Sequence, residues 1–275
     1  MQRRLIISLW LMCMPVICLL AGTFTTREMH CQTRDGKDIW GMLYLPDTGG
    51  EKKPLVIMAH GYNGTHKEPQ PYAECLAGQG VACYIFDFCG GGNQSRSEGK
   101  TTEMTIFTEK ENVEDITHIV KSWDFVDSTR VALMGCSQGG LVASLTAAAH
   151  PEMFKALILV YPALLIPETA PRMLRLFEEH HNEPQDVMGM KLGRVYYEKI
   201  NGLPVLDIIG RYKGPTFMVY GDKDGVIAGG WLDRAQKEYQ QCKVKVIPGG
   251  DHGFSNPQHH LKAREAVRDF VLDVL

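Results

Sequence analysis

Six short, predominantly apolar runs, rich in β-branched and aromatic side chains, constrain this chain more than any other feature: residues 55–59, 81–86, 131–134, 156–160, 216–220 and 244–247. An unbroken apolar run leaves no face for water, so each predicts a strand covered on both sides, as in a parallel sheet sandwiched between helices. Between the runs, apolar residues fall at helical spacing. Val113, Ile116, Val120 and Trp123 share one helix face, Ala263, Ala266, Val267, Phe270 and Val271 share another, and 141–149 is a small-residue helix suited to close packing. Strand and helix alternate, so the fold class is α/β, with a mostly parallel central sheet and helices on both faces. Ahead of the first run, 28–33 and 39–45 are shorter and more polar and flank Asp35 and Gly36, which predicts a hairpin at the sheet edge.

One stretch breaks the alternation. From about 164 to 214 the chain carries Pro167, Pro171, Pro184 and Pro204 among scattered apolar residues, with no further buried strand. Long insertions in compact domains are often covers for a site, so an inserted lid is expected, with Met173, Leu176, Phe177, Met188, Met190, Tyr196 and Tyr197 as candidate lining. At 275 residues and 44% apolar composition the remainder suits one domain, 23–275. The N-terminus reads differently, because Arg3 and Arg4 precede an uncharged apolar run up to Gly22. Residues 1–22 have the pattern of a signal peptide or a short membrane anchor and predict export, to periplasm, medium or membrane surface. The alternative is an early start codon ahead of a cytoplasmic enzyme. A formal charge of −3, with bases spread along the chain, gives no footprint for nucleic acid, and membrane contact is expected only through that leader. Six cysteines lie beyond the leader, without metal spacing; Cys83 and Cys136 read as small buried hydrophobes, and Cys31 or Cys75 remains available for pairing in an exported protein.

The chemistry gathers at strand ends. The run 131–134 leads into GCSQGG, which sets Ser137 in a Gly135-x-Ser137-x-Gly139 turn with the small-residue helix behind it. Such a nucleophile elbow needs its glycines because side chains there would meet the neighbouring strand or helix. A serine hydroxyl attacks poorly until a base takes its proton and a carboxylate orients that base. Both follow in order: GDKDG comes after the run 216–220, and PGGDHGF after the run ending at 247. Asp224 is preferred to Asp222 as the acid because it lies deeper in its loop, with Asp222 as a turn residue; His252 is the base, and Asp251 fixes the loop. The tetrahedral intermediate needs donors, and two backbone N–H groups are placed to supply them, that of Gln138 after the nucleophile and that of Tyr62 in AHGYNGT. His60 in that loop reads as a structural anchor. No metal or cofactor is called for.

These segments, AHGYNGT, DFCGGGNQSRSEGK, GCSQGG, GDKDG and GGDHGF, resemble the signatures of bacterial α/β-hydrolase esterases, particularly the cinnamoyl (feruloyl) esterase branch, over nearly the whole chain beyond the leader. The resemblance implies an α/β-hydrolase fold with a lid after the strand that follows the nucleophile helix. It also implies an oxyanion loop at Tyr62 and a triad of Ser137, Asp224 and His252. The chain departs from that pattern at Cys136, where histidine is usual, and at Cys89 with its three glycines, without losing a catalytic group. A carboxylic ester hydrolase acting on small esters is therefore expected. A peptidase or acyltransferase on the same fold and an inactive binding module stand as rivals. A thiol hydrolase using Cys136 fails on register, since Ser137 is the centre of the elbow.

Overall fold

The computed structural model describes residues 22–47, 49–227 and 230–275. All but Gly22 of the leader 1–22 therefore lies outside the described residues. Eight strands form one sheet in the order β1-β2-β4-β3-β5-β6-β9-β10. The hairpin of β1 (Phe24–Gln32) and β2 (Asp38–Pro46) sits at one edge, and β2 runs antiparallel to β4 (Ala82–Phe86). From β4 through β3 (Lys53–Ala59), β5 (Val126–Cys136), β6 (Ala156–Val160), β9 (Pro215–Gly221) and β10 (Gln241–Ile247), every pairing is parallel.

Five of the six apolar runs are central strands buried on both sides, as expected. The sixth is not. β10 is the far edge strand, pairs only with β9, and leaves Val246 39% exposed. Lys243 and Lys245 alternate with its valines, and charge on an edge discourages pairing with another chain.

The two faces of the sheet carry separate apolar layers. One is covered by α1 (Gln70–Ala77) and α8 (Pro257–Val274), through Tyr72, Leu76, Val267 and Phe270. On the other lie α2 (Ile106–Lys121) and α3 (Gln138–Ala149), with Val113, Ile116 and Val120 of α2 pointing inward. A capping box at Thr105 and Thr108 starts α2; Trp123 packs just beyond its end. In α3 nearly every residue is buried, which only small side chains and good neighbours on all sides permit.

Between β6 and β9 the chain forms a 3₁₀ turn (Ile166–Thr169), α4 (Ala170–Glu179), a small hairpin of β7 (Gln185–Val187) and β8 (Met190–Leu192), α5 (Arg194–Ile200) and α6 (Val205–Ile209). The hairpin was not foreseen, because two three-residue strands are too short to show alternation. Its turn residues Met188 and Gly189 both have positive φ, 48° and 81°, the two-residue geometry that suits strand twist. One further helix, α7 (Trp231–Glu238), precedes β10. No helix among the described residues is long and apolar enough to cross a membrane.

Candidate active site

Ser137 stands where β5 ends and α3 begins, with φ 49° and ψ −117°, a conformation disfavoured for a residue with a Cβ. Its surroundings hold it there. The Ser137 N–H donates to the Val160 carbonyl at 3.0 Å, and its own carbonyl accepts from Gly140 and Ala163, each at 2.9 Å. A Cβ at Gly135 would overlap the Gly139 carbonyl; one at Gly139 would overlap the His60 carbonyl and lie 2.8 Å from that of Ala59. Both glycines flanking the serine are thus required by close backbone approach. Gly135→Ala should destabilise the fold by about 3 kcal/mol, lowering Tm by roughly 10 °C in thermal unfolding. Gly49→Ala, where an added Cβ meets nothing within 4 Å, should leave Tm unchanged.

The loops after β9 and β10 bring two further groups to the same strand-end edge. Ser137 Oγ lies 2.9 Å from His252 Nε2, and His252 Nδ1 lies 2.8 Å from Asp224 Oδ2. Since Asp224 can only accept when ionised, Nδ1 carries the proton and donates it, leaving Nε2 to accept from the serine hydroxyl. The second oxygen of Asp224 accepts from the backbone N–H groups of Val226 and Ile227 at 2.9 and 3.2 Å, and the carboxylate is 1% exposed. The imidazole is thereby fixed in both rotation and tautomer. On its other side the ring meets Tyr161 edge-on, centroids 5.0 Å apart. The two competing carboxylates are engaged elsewhere: Asp222 accepts from the Gly249 N–H at 2.7 Å, and Asp251 accepts from the N–H and hydroxyl of Ser255.

Facing the serine is the loop after β3. His60 is fully buried; its Nδ1 donates to the Gly61 carbonyl at 2.7 Å and its Nε2 accepts from the Phe88 N–H at 3.0 Å. Burial pushes its pKa down, consistent with a neutral anchoring ring. A Cβ on Gly61 would lie 2.9 Å from the Ser137 Cβ, so only glycine lets this loop come so near. Tyr62 and Gln138 both line the cavity in front of Ser137, and the backbone N–H of each has no hydrogen-bond partner among the described residues.

That cavity measures about 440 Å³ and is mostly apolar, with Leu165, Ile166, Met173, Val187, Tyr196 and Tyr197 of the insertion supplying much of its wall. Of the seven residues expected to line it, Met173, Met188, Tyr196 and Tyr197 do so. Phe177 and Met190 instead pack into the core and Leu176 against it, because an apolar side chain in the insertion signals an inward position without saying what fills the space within. The charged residues on the wall are Arg172 and Glu68. Cys136, beside Ser137, is buried with its thiol pushed well up by desolvation, which leaves no thiolate to attack. All described cysteines are free, so the pairing left open for Cys31 or Cys75 is not seen. Among the described residues no cluster of three or more His, Cys, Asp or Glu is placed to hold a metal ion.

Comparison with known proteins decides the family. Residues 50–190 match the Hydrolase_4 family model, described as serine aminopeptidase, S33. The chain belongs to this α/β-hydrolase family. Among solved structures the hydrolase is similar to Est1E from Butyrivibrio proteoclasticus with ferulic acid bound, at TM-score 0.79 and 31% identity, covering 90% of this chain and 98% of that one. An acetyl xylan esterase from Paenibacillus sp. R4, at TM-score 0.71 and 18% identity over 96% of this chain and 87% of that one, shares the fold. Curated relatives include human monoglyceride lipase, 27% identical over 51% of this chain and 45% of the lipase. The quorum-quenching protein AidA of Acinetobacter baumannii is 33% identical over 36% of this chain and 32% of AidA. The matched stretches thus span a third to a half of those curated relatives' length.

Several supporting residues of this hydrolase escaped sequence reading. Glu68 accepts from the Gly61 N–H through Oε2 at 2.5 Å and from the Tyr161 hydroxyl through Oε1 at 3.1 Å, tying the loop after β3 to the end of β6. Tyr161 itself has φ 37°. The Gln138 side chain donates to Glu109 at 2.8 Å and accepts from the Tyr196 hydroxyl at 2.7 Å. A carboxylate seven residues beyond Gly61 offered a faint signal for Glu68; Glu109 had none, and Tyr196 was expected on the cavity wall but not as the partner of Gln138.

Proposed function

We propose that the protein is a serine carboxylic ester hydrolase working through an acyl-enzyme on Ser137, with feruloyl, cinnamoyl or other small acyl esters as substrates. The observation that carries this reading is the continuous hydrogen-bonded series from Ser137 Oγ through His252 to Asp224, with Ser137 and His252 on the wall of an apolar cavity. Ser137 Oγ attacks the ester carbonyl carbon as its proton passes to His252 Nε2. The oxyanion that forms accepts from the N–H groups of Tyr62 and Gln138, donors that have no other partner among the described residues. Collapse expels the alcohol, which takes the proton from His252 Nε2. Water, deprotonated by the same nitrogen, then attacks the acyl-enzyme and releases the acid. Asp224 remains ionised throughout and holds the imidazole.

An aromatic acyl group suits walls built from Tyr62, Tyr196 and Tyr197, and the likeness to Est1E with bound ferulic acid supports it. The segment 164–214 serves as the lid over that group. The leader 1–22 serves export or anchoring, on the strength of Arg3 and Arg4 before the apolar run. The family's description as an aminopeptidase raises a peptidase reading, which would need a carboxylate free to hold the substrate's ammonium. Glu68 is the one acid on the described wall, and both its oxygens are already engaged within the protein, which favours the ester reading.

A panel of acetyl, butyryl and feruloyl esters beside aminoacyl amides tests this. The highest kcat/KM is expected on the feruloyl ester. Equal rates on short aliphatic esters with none on feruloyl would overturn the acyl assignment, and cleavage of the amides alone would overturn ester hydrolysis. Arg172, which makes no ion pair among the described residues, should favour esters bearing a negative charge. Arg172→Gln is expected to lower their kcat/KM by about two- to fivefold and leave neutral esters unchanged.

A further inference from the structure

Behind the elbow lies a carboxyl group that the proton relay does not use. Glu109, in the first turn of α2, is completely buried. Its Oε2 accepts from Gln138 Nε2 at 2.8 Å, and its Oε1 is buried without any hydrogen-bond partner. Gln138 Oε1 in turn accepts from the Tyr196 hydroxyl at 2.7 Å. One amide side chain thereby joins α2, the nucleophile helix α3 and α5 of the insertion. Its own backbone N–H is one of the two groups assigned to the oxyanion.

We propose that Glu109 is a positioning residue that acts as the neutral carboxylic acid, holding Gln138 between α2 and the insertion so that the oxyanion donor and the cavity wall stay in register. The proposal rests on the reading of this site as a serine hydrolase. Its physical basis is the company Glu109 keeps. Gln138 faces it from α3, Tyr196 from α5 and Tyr62 from the loop after β3, while His60, neutral in its burial, lies across Gly91. None of these is a cation. Burial therefore pushes the carboxyl up to about 8, so that it keeps its proton at neutral pH. Once ionised, it would sit as an uncompensated charge in a dry layer and draw in water or new donors, and Gln138 is the nearest group to be pulled out of place. A glutamine at position 109 would fill the same space without ever carrying that charge.

The test compares wild type, Glu109→Gln and Glu109→Ala as full chains on an activated ester between pH 6 and 10, with a separate sample of wild type labelled by a fluorophosphonate at pH 7. Wild-type kcat should fall as pH rises through about 8 with KM little changed. Glu109→Gln should match wild type within about threefold at pH 7 and lack the alkaline fall, whereas Glu109→Ala should lose about tenfold in kcat at every pH. Thermal unfolding gives a readout independent of turnover. A carboxyl whose folded pKa lies above its unfolded value holds an extra proton in the native state, so its contribution to stability declines from about pH 4.5 and levels off above about 8. The Tm of Glu109→Gln relative to wild type should therefore rise between pH 5 and 9. An alkaline limb unchanged in Glu109→Gln, or a Tm difference independent of pH, would overturn the proposal while labelling of wild type kept the hydrolase reading intact. Failure of folded wild type to label would overturn both.

Discussion

Replacing Ser137 with alanine is expected to lower ester hydrolysis by ~10⁴-fold or more while leaving the fold and its Tm unchanged. The oxygen removed is the one that sits 2.9 Å from His252 Nε2. Cys136 is buried with a raised pKa, so it cannot substitute. The residual rate should come from the Tyr62 and Gln138 N–H groups acting on a bound ester, because the alanine leaves that side of the site in place. Initial rates on an activated ester, together with Tm, check this. A variant that kept more than a tenth of the wild-type rate would place the nucleophile elsewhere.

Asp224→Asn should be nearly as damaging, about 10⁴-fold in kcat, through a different cause. Asparagine offers its amide N–H where the carboxylate accepted, so His252 is driven to the tautomer with the proton on Nε2. That nitrogen can then no longer take the proton of Ser137. The Val226 and Ile227 N–H groups that accompany Asp224 would still find the amide oxygen, so Tm should change little. Asp222→Asn and Asp251→Asn are the controls, expected within about threefold of wild type, since those carboxylates accept from Gly249 and Ser255 and not from the imidazole. Comparable losses at Asp222 would mean that the acid had been assigned to the wrong carboxylate of GDKDG.

The central strands were legible because burial on both faces leaves unbroken apolar runs, and β10 was misjudged for the same reason. Its valines and Ile247 look like another buried run, but Lys243 and Lys245, alternating with the valines, mark a strand with one neighbour only. Helices α1 and α7, at eight residues each, are too short for periodicity to stand out, and the β7–β8 hairpin is shorter still. That Ser137, Asp224 and His252 come together was legible because each sits in a glycine-rich turn directly after a strand, so local sequence identifies the turn and the parallel sheet brings the strand ends to one edge. The groups that hold them were not legible. Glu68 meets Tyr161 across 93 positions, and Gln138 meets Tyr196 across 58, distances over which no spacing rule operates. The same limit divided α4. Met173 and Phe177, one turn apart on its inward face, both join the core, but only Met173 also reaches the cavity wall.

The central claim, an activated serine at position 137, is tested most directly by treating the full chain with a fluorophosphonate and mapping the modified peptide by mass spectrometry. One adduct per chain, on Ser137 and absent from Ser137→Ala, is the predicted result. A folded wild-type protein left unmodified, or an adduct that persists in Ser137→Ala, would contradict it.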